Sequence, residues 1–331
     1  MNPQQMTLST KDLSRSFRSY IKPEGLKASL SGLFNRQYKE VHALLPTNIE
    51  IFRGEVVGLV GANGAGKTTL LKILSGLIVP SSGEARVLGF NPAERKHEYL
   101  RKMSILLGQK NQLWWDLPAV DSFALLGNIY GIEKQTVTQR MNELAEVLDC
   151  KHVLEIQLRR LSLGERMKME MIGALLHRPE IIFLDEPTIG LDILAQKKIR
   201  GFLQDYVKQY QPTVILTSHY MDDIALLAKR LLLLSHGKIV YDGTVQDFVG
   251  RQENIMNVNI SLSQPLIREC LINKTILPAH EKDFRFSCST SDFNSLLPQI
   301  LAQTQINHIS TDAQDFEDVI HQFLQNESRV R

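Results

Sequence analysis

GANGAGKTT, residues 61–69, stands between an apolar run, Val56 Val57 Gly58 Leu59 Val60, and a helical run, Leu70 Leu71 Lys72 Ile73 Leu74, that stops at Gly76. A strand, a glycine-rich turn and a helix in that order are the context that the G-x-x-x-x-G-K-[ST] pattern requires. Gly61, Gly64 and Gly66 are expected to let the turn take positive φ and bring backbone N–H groups close to a ligand, while the helix that follows points its positive end into the same hollow. The hollow suits a polyphosphate, and its binding set is read as Gly61, Ala62, Asn63, Gly64, Ala65, Gly66, Lys67, Thr68 and Thr69. Lys67 is expected to reach the β- and γ-phosphates as a point charge, and the Thr68 hydroxyl to take one Mg²⁺ coordination position.

At 331 residues the chain is long enough for one large domain plus a small one, and 43% hydrophobic with 22% charged residues is ordinary for a globular protein. The formal charge of +2 argues against nucleic acid as the main partner, whose footprint is a strongly basic domain or stripe. Cys150, Cys270 and Cys288 are widely spaced, in no metal-ligand pattern, and read as reduced cytosolic thiols. The opening MNPQQMTLSTKDL has no basic region followed by an apolar core. Nor does any run reach the roughly eighteen apolar residues of a membrane span, so the chain is expected neither to cross a membrane nor to enter the secretory route by itself.

Upstream of the phosphate loop, residues 6–17 and 41–52 alternate as strands, an antiparallel β-rich piece. Between them an insertion, residues 18–39, carries Arg18, Lys22, Lys27, Arg36 and Lys39 against a single acid, Glu24. Leu26, Leu30, Leu33 and Phe34 fall on one face of a short helix there, which either touches lipid head groups or packs on its own domain. Downstream, residues 84–89 read as a short strand, Asn91 and Pro92 as the cap of a polar helix-prone run, and residues 105–109 as a strand delivering Gln109 at its end. Residues 111–160 have helical spacing with few strand signals and read as a helical subdomain, about residues 110–165, inserted into an α/β core. Trp114 and Trp115 either line a groove for a partner helix or lie in that subdomain's core.

The insertion ends at LSLGERMKMEMIGALLHRPE, where Ser162 followed by Glu165 is a capping-box signature. Next comes IIFLDEPTIGLD: four apolar residues form a buried parallel strand whose C-terminal end carries Asp185 and Glu186. Ligands bind at that edge of open α/β sheets. Asp185 is placed to hold Mg²⁺ through water, and Glu186 to orient or deprotonate the water attacking a γ-phosphate. A second apolar strand, residues 213–216, delivers His219 to the same edge.

GANGAGKT, Gln109, LSLGE, IIFLDEP, GLD and His219, in this order, resemble the nucleotide-binding domain of ABC transporters over about residues 6–250. NQLWWDLPAVDSF, LSLGERMKME and TSHYMDDI are similar to the ATPase subunits of ABC-2-type exporters, the group that includes daunorubicin- and viologen-exporter ATPases. The implied fold is α/β, a P-loop NTPase core with an antiparallel β subdomain and an inserted helical subdomain, followed over residues 251–331 by a small α+β C-terminal extension. The resemblance implies ATP hydrolysis with Mg²⁺ by a dimer of nucleotide-binding chains, identical or closely related, which powers a separate polytopic membrane permease from the cytoplasmic face of the membrane. It places Ser162 and Gly164 on the γ-phosphate bound by the partner chain's phosphate loop. Gln109 would contact Mg²⁺ and water and relay to the permease, His219 would hold the γ-phosphate and water, and Asp192 would face the dimer. The alternative is a soluble ABC-type ATPase acting on nucleic acid or ribosomes.

Two departures matter. The commonest family signature is LSGGQ, whereas this chain has Leu163 for the first glycine and Glu165 for the glutamine. A carboxylate near a γ-phosphate is unfavourable, so Glu165 is expected to turn away and close the capping box. For the aromatic that stacks on adenine, Tyr38 is the first choice and Phe17 the second; either is also compatible with plain strand packing.

Overall fold

The computed structural model describes residues 5–20, 38–108, 110–250, 255–272, 275–313, 319–320 and 323. Gln109, residues 21–37 of the basic insertion and most of residues 314–331 of the C-terminal extension lie outside the described residues. The chain divides into two compact units, Met1–Gly243 and Thr244–Arg331. The division precedes the composition change at Arg251, because the short helix Val245–Gly250 belongs with the second unit.

The first unit contains β1 (Met6–Tyr20), β2 (Tyr38–Phe52), β3 (Val56–Val60), β4 (Ser82–Val87), β5 (Met103–Leu107), β6 (Ile181–Asp185), β7 (Thr213–Thr217), β8 (Arg230–Ser235) and β9 (Lys238–Thr244). Six of these form a sheet in the order β5-β6-β7-β3-β8-β9. Every residue of β3, β6 and β7 is buried, as expected of parallel strands covered on both faces. Because β3, β6 and β7 run parallel, their C-terminal ends open on one edge. The phosphate loop follows β3 there, Glu186 follows β6, and Ser218 and His219 follow β7. Beyond β8, His236 (φ 47°) and Gly237 (φ 79°) form the two-residue turn with positive φ at both positions that matches the twist of a hairpin. Gly237 donates to the Ala65 carbonyl at 2.9 Å and accepts from Leu45 at 2.8 Å, which fastens this hairpin to the phosphate loop and to β2.

A separate antiparallel sheet, order β2-β1-β4, makes the β subdomain. Here β1 and β2 extend beyond the strands read from sequence: Arg18 pairs with Glu40, Ser19 with Lys39 and Tyr20 with Tyr38. The edges of the basic segment therefore continue the hairpin, with opposite charges across the first added rung. The polar run after Asn91 is also corrected. It breaks into a 3₁₀ turn, Pro92–Glu94, and a one-turn helix, His97–Leu100, because Arg95 between them turns left-handed at φ 49°. Asn91 does cap, its side chain accepting from the Ala93 N–H at 3.1 Å.

Between β5 and β6 lies the helical subdomain, with helices Ala119–Tyr130, Lys134–Val147 and Leu163–Leu175. The first two approach closely at Gly127, where an added Cβ would sit 2.4 Å from Val137.

The second unit is α+β. Its sheet has the order β13-β10-β14, formed by β10 (Ile255–Leu262), β13 (Asp283–Ser289) and β14 (Ile306–Ala313). Helix Thr290–Leu301 contributes Phe293, Leu296 and Ile300 to a core with Val258, Ile260 and Phe284. A two-stranded hairpin, β11 (Cys270–Ile272) with β12 (Thr275–Leu277), went unread in the sequence because three-residue strands carry too few alternations to register. All three cysteines are free and buried.

Candidate functional site

The loop between β3 and helix Lys67–Leu74 places Gly64 at φ 78° and Gly66 at φ 110°, conformations that L side chains rarely adopt. An added Cβ at Gly64 would meet nothing within 4 Å, so this turn is open on the side a ligand would approach. Gly61 corrects the expectation of positive φ at all three glycines. It is needed for close approach, since a Cβ there would lie 2.1 Å from the Leu234 carbonyl. The Lys67 ammonium is buried and donates to the carbonyls of Gly61 (2.6 Å) and Ala62 (3.2 Å) at the loop's start. Burial lowers its pKa from the usual lysine range, opposed by the nearby carboxylates of Glu186 and Asp185. A cation held by carbonyls rather than by an ion pair can transfer to an incoming anion without breaking a salt bridge.

Asp185 is anchored from two neighbouring segments: Oδ1 accepts from the Thr217 hydroxyl at 2.8 Å and from the Thr68 hydroxyl at 3.2 Å. Thr68 and Asp185 are hard oxygen donors side by side, suited to Mg²⁺. Among the described residues, no three His, Cys, Asp or Glu side chains gather as a closed metal cage.

Glu186 sits at the tip of β6 with φ 56°, a left-handed conformation costly for a non-glycine residue and concentrated at functional sites. Its backbone N–H is held by both the carbonyl and the hydroxyl of Thr217, each at 3.1 Å. His219 Nε2 lies 2.9 Å from Glu186 Oε1, so the two sequence-read residues meet. A hollow of about 140 Å³, lined by Thr68, Lys72, Leu107, Gly108, Lys110, Asp185 and Glu186, opens beside them. Both sequence neighbours of Gln109 line it. Gly108 has no substitute there, because a Cβ would lie 2.1 Å from the Glu186 carbonyl, and its N–H donates to the Asp185 carbonyl at 2.8 Å.

Ser162 heads helix Leu163–Leu175 in a complete capping box. Its hydroxyl accepts from the Glu165 N–H at 3.3 Å and donates to Glu165 Oε2 at 2.7 Å, and the same carboxylate oxygen accepts from the Ser162 N–H at 2.9 Å. Those bonds, the serine hydroxyl's first, pull the Glu165 carboxyl below its usual pKa. The carboxylate is thus folded onto the cap as the departure from the common signature required. Gly164 packs on helix Ile193–Tyr210, an added Cβ reaching 3.4 Å from Ala195. Ser162 and Gly164 do not line the hollow beside Asp185. Asp192 caps helix Ile193–Tyr210, Oδ1 accepting from the N–H groups of Leu194 and Ala195 at 3.0 Å, and Ile193 and Leu194 beside it are exposed.

Of the two aromatics, Phe17 pairs with Val41, two residues from Ala43, whose carbonyl lies against Gly66 of the loop. Tyr38 pairs with Tyr20 three residues further out and is mostly exposed. Trp114 and Trp115 are both partly exposed, and the Arg166 guanidinium sits 5.0 Å from the Trp115 ring centre. Trp115, Arg166, Met167 and Glu170 share a cavity of about 350 Å³ with Leu163 and Gly190.

Sequence reasoning passed over Thr217, Gly108 and Glu170. Glu170 is almost fully buried, and its two carboxylate oxygens accept from the N–H groups of Gln112 (3.0 and 3.1 Å) and Leu113 (3.3 Å). Burial raises its pKa against those bonds. The available signal was an acid interrupting the methionine-rich face of a core helix.

A sequence profile of the family described as "ABC transporter" matches residues 44–189. The chain is 30% identical over 235 residues to the ABC transporter ATP-binding protein NatA of Bacillus subtilis, covering 71% of this chain and 95% of NatA. It is 32% identical over 193 residues to the bacitracin transport ATP-binding protein BcrA of Bacillus licheniformis, covering 58% of this chain and 62% of BcrA. Among solved structures, the dimeric ATP-binding cassette MJ0796 bound to ADP and Pi superposes with a TM-score of 0.60 at 22% identity, over 72% of this chain and 98% of that one.

Proposed function

This chain belongs to the ATP-binding proteins of ABC transporters and is an ATPase, and on that premise we propose that it dimerises around Mg²⁺-bound ATP and drives a separate membrane permease, working as an exporter. One observation carries the reading: Lys67, Thr68, Asp185, Glu186 and His219 converge at one edge of the sheet, with His219 2.9 Å from Glu186. Lys67 binds the β- and γ-phosphates, with the loop amides around Gly64 completing the cradle. Thr68, Asp185 and Gln109 would hold Mg²⁺, which when bound would supply charge neutralisation at the phosphates. Glu186 orients the attacking water and accepts its proton; His219 holds the γ-phosphate and that water. Tyr38 is the first choice to stack on the adenine and Phe17, whose ring carries the Arg15 guanidinium at 4.6 Å, the second.

The partner chain supplies Ser162 and Gly164. The capped start of helix Leu163–Leu175 presents N–H groups and a positive dipole end to the γ-phosphate, so nucleotide becomes a charged bridge between protomers that hydrolysis removes. Asp192 and the exposed Ile193 and Leu194 sit at the adjoining surface. The groove of Trp115 and Arg166 receives a permease helix, which Gln109 and the neighbouring loop sense. Among the described residues no helix is long and apolar enough to cross a membrane; the chain attaches peripherally at the cytoplasmic face through the permease. BcrA, named for bacitracin transport, supports the exporter assignment.

Turnover by Glu186→Gln tests the reading. Removing a general base costs about 10²- to 10⁴-fold, so this variant is expected to bind ATP like the parent chain, lose turnover by that order and elute as a dimer with Mg²⁺ and ATP. Parental turnover in Glu186→Gln would remove Glu186 from its role.

A further inference from the structure

Behind the catalytic edge lies a buried polar cluster that the reading above does not use. Asp223, at the start of helix Met221–Leu227, is 1% exposed. Its Oδ2 accepts from the Thr188 hydroxyl at 2.5 Å and the Ser218 hydroxyl at 2.6 Å. Its Oδ1 accepts from Arg200 Nε, and Arg200, on helix Ile193–Tyr210, also bonds Gln196 at 3.3 Å and reaches the exposed Asp222 at 3.4 Å. Ser218, Thr188 and Asp223 are all nearly inaccessible to water.

The placement is specific. Ser218 immediately precedes His219, and Thr188 lies two residues after Glu186, so one carboxylate oxygen ties together the two backbone segments carrying the pair that meets at 2.9 Å. Ser218 is used twice, since its hydroxyl also accepts from the Tyr220 N–H at 3.0 Å, fixing His219 from both sides in sequence. A buried carboxylate is costly without partners, and here two hydroxyls and a guanidinium supply them. An apolar cluster could pack this space, but it could not dictate the spacing between two strand ends. Nor could it link them to the helix that begins at Asp192.

We propose that Asp223 is a positioning residue for the Glu186–His219 pair, acting through Ser218 and Thr188, with Arg200 as its counter-charge. The proposal rests on the ATPase reading of Glu186 and His219. It requires that loosening the clamp lowers turnover while leaving nucleotide binding, which depends on the phosphate loop, nearly unchanged.

The test is a double-variant cycle on the purified full-length chain: parent, Asp223→Asn, His219→Ala and both together, each measured for kcat, KM and thermal unfolding with Mg²⁺ and ATP. Asp223→Asn is expected to lower kcat about 10-fold or more with KM within about 3-fold. In the His219→Ala background the same change is expected to cost less than about 3-fold, since residues acting as one unit are strongly non-additive. Equal losses in both backgrounds, or a loss confined to thermal stability, overturn the proposal. Should Asp223→Asn fail to fold, Ser218→Ala removes one clamp bond and is put through the same cycle with the same two outcomes. Glu186→Gln run alongside separates the failures: parental turnover there sinks the underlying reading, whereas an inactive Glu186→Gln with a multiplicative cycle sinks only the clamp.

Discussion

At the residue scale, the catalytic edge is made by side chains whose partners leave them few alternatives. Asp185 is fixed by two hydroxyls, and Glu186 is held left-handed by Thr217 and by the missing Cβ of Gly108. His177, outside the site, shows the same economy and gives a pH prediction. It stacks on Tyr130 at 3.9 Å between ring centres, with Nε2 3.0 Å from the Met103 carbonyl, and burial lowers its pKa from 6.5 to about 4. Between those values the unfolded chain binds the proton and the folded chain does not, so stability falls as pH drops through that window, by at most about 3 kcal/mol. Thermal unfolding from pH 7.5 to 4.5 is expected to show a steeper loss for the parent chain than for His177→Gln. Parallel profiles would contradict it.

At the scale of elements, β3, β6 and β7 of the central sheet bring the phosphate loop, Asp185 with Glu186, and His219 to one edge, and the helix after the phosphate loop starts there. Much of this was legible. Continuous apolar runs before GANGAGKTT, before Asp185 and before His219 specify parallel strands buried on both faces, and parallel strands share an edge. Ser162 and Glu165 announced their capping box, which forms with all three bonds. What stayed hidden was whatever depends on approach between distant segments. Gly108 looks like any strand-end glycine until the Glu186 carbonyl is seen against it, and Gly61, expected to take positive φ, is instead needed for the approach of the Leu234 carbonyl. Asp223 and Glu170 look like surface charges until tertiary packing buries them. The hairpin extension to Tyr20 and Tyr38 was missed because pairing across a long insertion leaves no local period. The cap yields a prediction of its own: Ser162→Ala is expected to destabilise the chain by only about 1 kcal/mol, yet to lower ATPase activity far more than that stability loss accounts for. Equal turnover at a temperature well below unfolding would show that Ser162 only caps a helix.

At the scale of the whole molecule, the proposed function makes the phosphate loop and the helix headed by Ser162 two half-sites. Ser162 is not among the residues lining the hollow at Asp185, and the proposed function has a second chain supply it. On that proposal the dimer is part of the chemistry, and hydrolysis at the sheet edge becomes movement between protomers. The most direct measurement is a crystal or cryo-EM structure of Glu186→Gln trapped with Mg²⁺ and ATP. The account predicts Ser162 Oγ and the Gly164 N–H of one protomer within about 3 Å of the γ-phosphate held by Lys67 of the other. A nucleotide-bound dimer with Ser162 of both protomers remote from any phosphate would contradict it.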